Sequence, residues 1–246
     1  LHVLRDAMER APNAEDRARV AFRLGRAYLA LDLHYDAIHP FEQALVTDAL
    51  GSAADDAAER LLELYGRFGR WTDHQTLCDR LLAEREAPED RVPLLVRQGR
   101  VSLIELGDPS RARSALEEAI HLSPRHATAL TLLRDAYEAV GDADALAHVL
   151  RRLETAHPEA DGRVDATLRL AIVQLNILKA PTEAQATLRR LPDVVRGRPE
   201  VEAARAQAGL PARASGVGGT LDVAPAAAEL TRFDGAALYE RALRLV

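Results

Sequence analysis

Eight histidines, a single cysteine and one glycine-rich stretch are the parts of this 246-residue chain whose side-chain types could carry chemistry. Two histidines can grip one metal ion from a helix when they stand four residues apart on the same face. His34 and His39 are instead five apart, as are His121 and His126, and no third ligand stands at metal-site spacing. No metal and no cofactor is therefore expected. Cys78, the only cysteine, excludes an internal disulfide and a multi-cysteine metal site. It falls where a large apolar residue belongs, so it is expected to be buried and inert, because a reactive thiol needs an exposed, electropositive setting. His74, close by in sequence, is expected to be a packed structural histidine. Gly216, Gly218 and Gly219 follow no buried-strand pattern and open no helix, which a phosphate cradle requires. No Walker loop, nucleophile elbow or HExxH motif occurs, and no set of acid, base and nucleophile can be assembled. No catalytic residue is predicted, and the chain is expected not to be an enzyme.

The composition says what must position such a surface. Apolar residues make up 48% and charged residues 28%, enough for a sizeable core under a polar exterior. Ala, Leu and Arg dominate, and they favour helix. Gly and Pro fall mainly between periodic segments, where helical hairpins use them. The net charge of −6 argues against a nucleic-acid partner, whose phosphates demand a basic surface. No apolar run approaches the length of a membrane span, so no membrane insertion is expected. Lys179 is the only lysine among many arginines, which reads as the codon bias of a GC-rich bacterium. The cytoplasm is the expected compartment, with the periplasm left open because Leu1 is not a start methionine.

Internal repetition decides the fold class. In the stretch 21–45, Leu24-Gly25, Tyr28, Ala37, Phe41 and Ala44 form a frame that recurs downstream. The place of Tyr28 is taken by Tyr65, Leu103, Tyr137 and Leu175, in steps of 37, 38, 34 and 38 residues. The place of Ala37 is taken by His74, Ala112, Leu146 and Ala184, and that of Phe41 by Cys78, Leu116, Leu150 and Leu188. Turns between the two helices fall at Asp32, Gly69, Gly107, Gly141 and Lys179. Small residues where two helices cross let the backbones approach, and the large residues fill the space around the crossing. Asp108-Pro109 reads as a cap followed by a first-turn proline, with Pro93 and Pro181 as the same device. Pro40 lies a turn inside a second helix and predicts a late start or a kink. Trp71, beside the Gly69 turn, is expected to pack between hairpins.

This frame resembles the tetratricopeptide (TPR) pattern. The resemblance implies an all-α right-handed superhelical solenoid of antiparallel helix pairs. Residues 1–12 are then the second helix of a truncated repeat. Five repeats follow at 13–52, 53–90, 91–125, 126–160 and 161–197. A capping helix at 198–210, a flexible linker at 211–228 and a partial hairpin at 229–246 complete the chain. Neither end looks capped, so a longer parent protein is expected, with self-association through the uncapped ends.

The resemblance also implies a binding groove lined by first helices. The residues placed on it are Arg19, Phe22 and Arg26; Asp56, Glu59 and Glu63; Leu94, Arg97 and Val101; Thr131, Asp135 and Glu138; and Arg169, Val173 and Asn176. Charge alternates along this series with apolar spots at Phe22 and Leu94, which suits an extended or helical peptide of mixed charge. The clamp by which some TPR domains grip a chaperone's terminal carboxylate needs lysines and asparagines, whereas the matching places here hold Phe22, Arg26, Arg60, Leu94 and Gln98. The expectation is a protein-interaction scaffold; a regulatory array serving an effector domain is the other reading of the same pattern.

Overall fold

The computed structural model describes residues 1–47, 51, 53–157 and 159–211. The expected linker at 211–228, all but its first residue, and the partial hairpin at 229–246 lie outside them, as does Pro158. The described residues form twelve α-helices and no strand. They fall into two compact units, divided after Arg85. The first holds α1 (His2–Glu9), α2 (Ala14–Ala30), α3 (His34–Ala44), α4 (Ala53–Arg67) and α5 (Trp71–Glu84). The second holds α6 (Pro88–Arg100), α7 (Pro109–Leu122), α8 (Ala127–Val140), α9 (Ala143–Ala156), α10 (Ala160–Asn176), α11 (Pro181–Arg189) and α12 (Pro199–Gln207). Within each unit, consecutive helices pack as antiparallel pairs, α2 with α3 and α4 with α5, then α6 with α7, α8 with α9 and α10 with α11.

The pairs close where side chains are smallest. A Cβ added to Gly25 would stand 3.0 Å from the Phe41 ring, and one added to Gly99 only 2.5 Å from Leu116 Cγ. Ala37, Ala112 and Ala184 are fully buried at the matching places of the second helices. Leu24, Phe41, Leu116, Leu133, Leu150, Leu170 and Leu188 fill the space around these crossings at 2% exposure or less. Each such side chain contributes about 1.5–3 kcal/mol by leaving water. His74 and Cys78 are buried on α5, with Sγ 3.7 Å from the imidazole Nδ1. Trp71 opens α5 half-buried, over Gly66 and edge-on to His74.

Side chains set where the helices start. Asn13, Asp108 and Asp142 accept the N–H groups of Asp16, Arg111 and Ala145 at 2.7, 2.9 and 3.1 Å. His126 Nδ1 does the same for Ala129. Prolines 88, 109, 181 and 199 occupy first-turn positions, where a missing N–H is harmless. Pro93 is not such a cap. It lies inside α6, and Pro88 takes the role. The late start expected from Pro40 is also absent, because α3 begins at His34 directly after the turn and carries buried Pro40 in its interior.

The turns share one conformation. Asp32, Gly69, Gly107, Gly141 and Lys179 are all left-handed, with φ of 60°, 67°, 61°, 80° and 52°. The residue after each one donates its N–H back into the first helix: Leu33 to Tyr28, Arg70 to Tyr65, Asp108 to Ser102, Asp142 to Tyr137 and Ala180 to Gln174, at 2.8–3.2 Å. These bonds redefine the repeat. The equivalents of Tyr28 in the third and fifth hairpins are Ser102 and Gln174, not Leu103 and Leu175. Ser102 is fully buried and Gln174 is 3% exposed, while Leu103 and Leu175 are only half-buried. The cause is one extra residue at the end of each of these first helices. It widens α6 into a π-turn over Val101–Glu105, and at the end of α10 it sends the N–H of Leu178 five residues back, to Val173. Gly209 (φ 70°) ends α12 in the same way, with Leu210 donating to Arg205 at 2.9 Å.

Lys179 is the side chain least suited to its turn. A left-handed backbone costs a residue with a Cβ roughly 1–2 kcal/mol, part of which glycine returns through its greater freedom when unfolded. Lys179→Gly should therefore raise stability by about 0.5–1 kcal/mol. Asp32→Gly should gain less, since Asp tolerates the conformation and contacts His34 at 2.5 Å. Urea melts of the two variants check the order.

Candidate functional site

In the first unit, the outward face of α2 carries Arg19, Arg23 and Arg26, all exposed, beside half-buried Phe22. Buried Ala18, Ala21, Leu24, Gly25 and Tyr28 occupy the opposite side of the same helix. Phe22 stands edge-on to Phe41 with ring centroids 6.1 Å apart, and the Arg26 guanidinium lies 5.8 Å from its ring. Arg19 is held along the helix by Asp16 at 3.4 Å and Glu15 at 3.9 Å. On α4 the corresponding face carries exposed Asp56, Glu59 and Glu63. Arg60 lies among them and reaches Asp56 and Glu63, each at 3.4 Å.

The second unit differs from the sequence-based placement because of the widened turns. Leu94, Val101 and Val173 are buried at 4%, 6% and 2% exposure and present no surface. Gly99 matches Gly25, so Pro93, Val96 and Arg100 hold the places that Arg19, Phe22 and Arg26 hold on α2. On α10 those places fall to Asp165, Leu168 and Ile172. Arg97, Arg169 and Asn176, one residue off this register, are half-buried. The series is thus less evenly charged than the residue spacing suggested, with half-buried Val96, Leu168 and Ile172 in it.

Two of the residues singled out from sequence, Glu138 and Arg169, do come together here, and Asp135 lies beside them in contact with Arg134. Glu138 on α8 lies 3.5 Å from Arg169 on α10, and Arg169 Nε donates to Asp165 at 2.8 Å. Arg134 contacts Asp135 at 2.6 Å and Asp165 at 3.9 Å. The Glu138 side chain is only 8% exposed. Burial pushes its pKa up, and the nearby guanidinium groups of Arg169 and Arg134 do not fully offset that. For Arg169 burial works against the charge, yet Asp165 and Glu138 outweigh it and raise its pKa.

A second polar system was not anticipated. At four places the residue following the large apolar position of a second helix makes a polar contact with the next hairpin. Arg5 donates to the Tyr28 hydroxyl at 2.8 Å, the Tyr65 hydroxyl donates to Glu42 at 2.9 Å, and the Tyr137 hydroxyl donates to Glu117 at 2.6 Å. Arg151 reaches Glu183 at 3.8 Å, and Glu183 accepts from Gln174 at 3.4 Å. Burial raises the pKa of both Tyr65 and Tyr137, and the bonds to Glu42 and Glu117 reinforce the shift. The signal was present as charged residues Arg5, Glu42, Glu117 and Arg151 directly after Leu4, Phe41, Leu116 and Leu150. A pocket of about 190 Å³ between α3, α4 and α5 has Glu42 and Asp73 on its wall. Arg70 neutralises both, at 2.9 and 2.7 Å, so the pocket belongs to this seam.

The packed helix pairs, the recurring left-handed turn and the seams between hairpins define a TPR-type solenoid. A known TPR structure with "an unusual peptide-binding site", YrrB, is similar to this chain with a TM-score of 0.52 at 18% identity, covering 82% of this chain and 97% of its own. PilF of Pseudomonas aeruginosa (TM-score 0.42, 16% identity, 79% and 100% covered) is a weaker likeness. So is a thermophilic TPR protein of Thermus thermophilus (0.37, 19%, 78% and 97%). No family model matches the chain, and no curated protein does. Among the described residues, no helix is long and apolar enough to cross a membrane.

The Glu138 environment sets a pH dependence. A carboxyl whose native pKa is raised contributes stability that is fully present below its unfolded pKa and lost as pH rises through the native value. Neutral Glu138→Gln should therefore gain on the wild type from about pH 4 to about pH 7. Urea melts at both pH values test this. A gain in the opposite direction would show that the ion pair with Arg169 outweighs burial.

Proposed function

We propose that this protein is a non-enzymatic scaffold that holds a peptide or helix of a partner protein along the outward faces of its first helices. The observation that carries the reading is the fold itself. Stacked hairpins bury their small and large apolar residues in the crossings and between neighbours, leaving one face of every first helix for contact. TPR-type arrays serve in general as platforms for protein–protein contact rather than as catalysts. The candidate contact residues are Arg19, Phe22, Arg26, Asp56, Glu59, Glu63, Thr131 and Asp135. Val96 and Arg100 stand in for Arg97 and Val101, and Leu168 and Ile172 for Arg169 and Val173. A face of this kind, charged with scattered apolar spots, suits a protein segment better than a polyanion, and the net charge of −6 agrees.

Position-resolved crosslinking in the source cell tests the proposal. A photoreactive phenylalanine analogue replacing Arg26 or Thr131 should form adducts with one recurrent partner segment. The same analogue replacing exposed Glu84 or Arg111, near the end of α5 and the start of α7, should form none. Equal yields from all four positions would remove the first-helix face from consideration.

A further inference from the structure

The turn edge of the first unit carries apolar side chains that the repeat itself does not require. The residue before each left-handed turn is apolar in all five hairpins (Leu31, Phe68, Leu106, Val140 and Leu178), so that place belongs to the fold. The place after the turn is different. It holds Leu33 in the first hairpin but Arg70, Asp108, Asp142 and Ala180 in the others. Two residues further on, Tyr35 stands where they have Thr72, Ser110, Asp144 and Thr182, and all five of these are exposed. The hairpin thus closes equally well with polar groups there, and only the first puts a leucine and a tyrosine into water. Leu33 is 40% exposed and Tyr35 68%, beside Leu31 at 58%. The Tyr35 ring stands edge-on to exposed Phe68, with centroids 5.3 Å apart, so the patch crosses from α3 to the end of α4. These four side chains leave roughly 400 Å² of apolar surface in water, as much as the largest patch on a typical monomer, which is often functional.

We propose that this turn edge pairs with the same edge of a second copy of the chain about a two-fold axis. The flanking charges select that occupant. Asp36 follows Tyr35 on one side of the ring pair and Arg67 precedes Phe68 on the other, and both are exposed. Asp36 acts on Arg5 through space, and neither Asp36 nor Arg67 forms an ion pair among the described residues. A two-fold contact needs a patch that complements itself. Laying Tyr35 of one copy on Phe68 of the other brings Asp36 of each beside Arg67 of its counterpart. A segment of a single sign would meet a like charge on one flank. Two such patches with their rims reach the low end of specific interfaces, about 1,200 Å², so a reversible pair of micromolar strength is expected. The contact uses helix ends rather than first-helix faces and does not rest on the scaffold reading above.

Sedimentation of the whole chain across the micromolar range provides the test. The wild type should pass from monomer to dimer as concentration rises. Leu33→Asp with Tyr35→Ser gives the first hairpin the residue types that Asp108 and Ser110 supply in the third, so the fold is kept, and circular dichroism verifies it. That variant should weaken dimerisation about tenfold or more, since it removes the apolar centre of the contact. Arg67→Asp alone should also weaken it by setting like charges opposite each other, and adding Asp36→Arg should restore it. A wild type that stays monomeric throughout would overturn the inference. So would a dimer unmoved by Leu33→Asp with Tyr35→Ser, or a charge swap that fails to recover what Arg67→Asp loses.

Discussion

Everything in this molecule follows from how closely the two helices of a hairpin approach. At Gly25 and Gly99 a single added carbon would intrude on Phe41 and Leu116. Backbones that near leave room for only one kind of reversal between them, a left-handed residue followed by an N–H returned to the first helix. The same bond fixes which side chain stands at the hairpin's end, and that side chain is where the next seam begins. Tyr28, Tyr65 and Tyr137 project from this place with their hydroxyls bonded to the second helix of the preceding hairpin. Closeness within a pair thus determines cohesion between pairs.

The seams show two ways of solving the same burial problem. A tyrosine hydroxyl bonded to a carboxylate makes a charge-assisted bond of roughly 1.5–3 kcal/mol, strong enough to offset partial desolvation. Where Gln174 replaces tyrosine, its amide oxygen accepts from Thr187 at 2.8 Å and its nitrogen donates to Glu183, which in turn faces Arg151. Each solution satisfies the buried polar atoms locally, so each hairpin needs only its neighbours, as expected of a quasi-one-dimensional array.

The repeat was readable from sequence because its markers are steric necessities. The five turn residues hold a left-handed backbone, and the places of Ala37 and Phe41 stay buried in every hairpin whatever fills them, so their spacing recurs down the chain. What was misread is one residue in size and has one cause. Aligning Leu103 and Leu175 with Tyr28 assumed an unbroken α-helix, and an inserted residue in the last turn leaves no mark in apolar spacing, since the apolar residue simply moves beside the polar one. Gly99, standing two 37-residue steps after Gly25, was the available clue. The error carried into the candidate face: Leu94, Val101 and Val173 went inward, and Pro93, Arg100 and Ile172 hold the places assigned to them. In the first unit, with no insertion, Arg19, Arg26, Asp56, Glu59 and Glu63 are exposed and Phe22 is half-buried.

Charge could not be assigned from spacing for a different reason. An arginine at a given repeat position looks the same in the string whether it bridges two helices or stays on one, and only the residue opposite decides. Arg60 and Arg169 hold equivalent places, yet Leu29 lies opposite one and Glu138 opposite the other. In the second unit the resulting ion pairs are sheltered, with Glu138 nearly covered, so removing one partner there leaves a buried charge uncompensated. In the first unit Arg60 stays on its own helix with Asp56 and Glu63, half-exposed to water, where such pairs contribute little. Whether an arginine at this place ties two hairpins together depends on whether the neighbouring first helix offers an opposite charge.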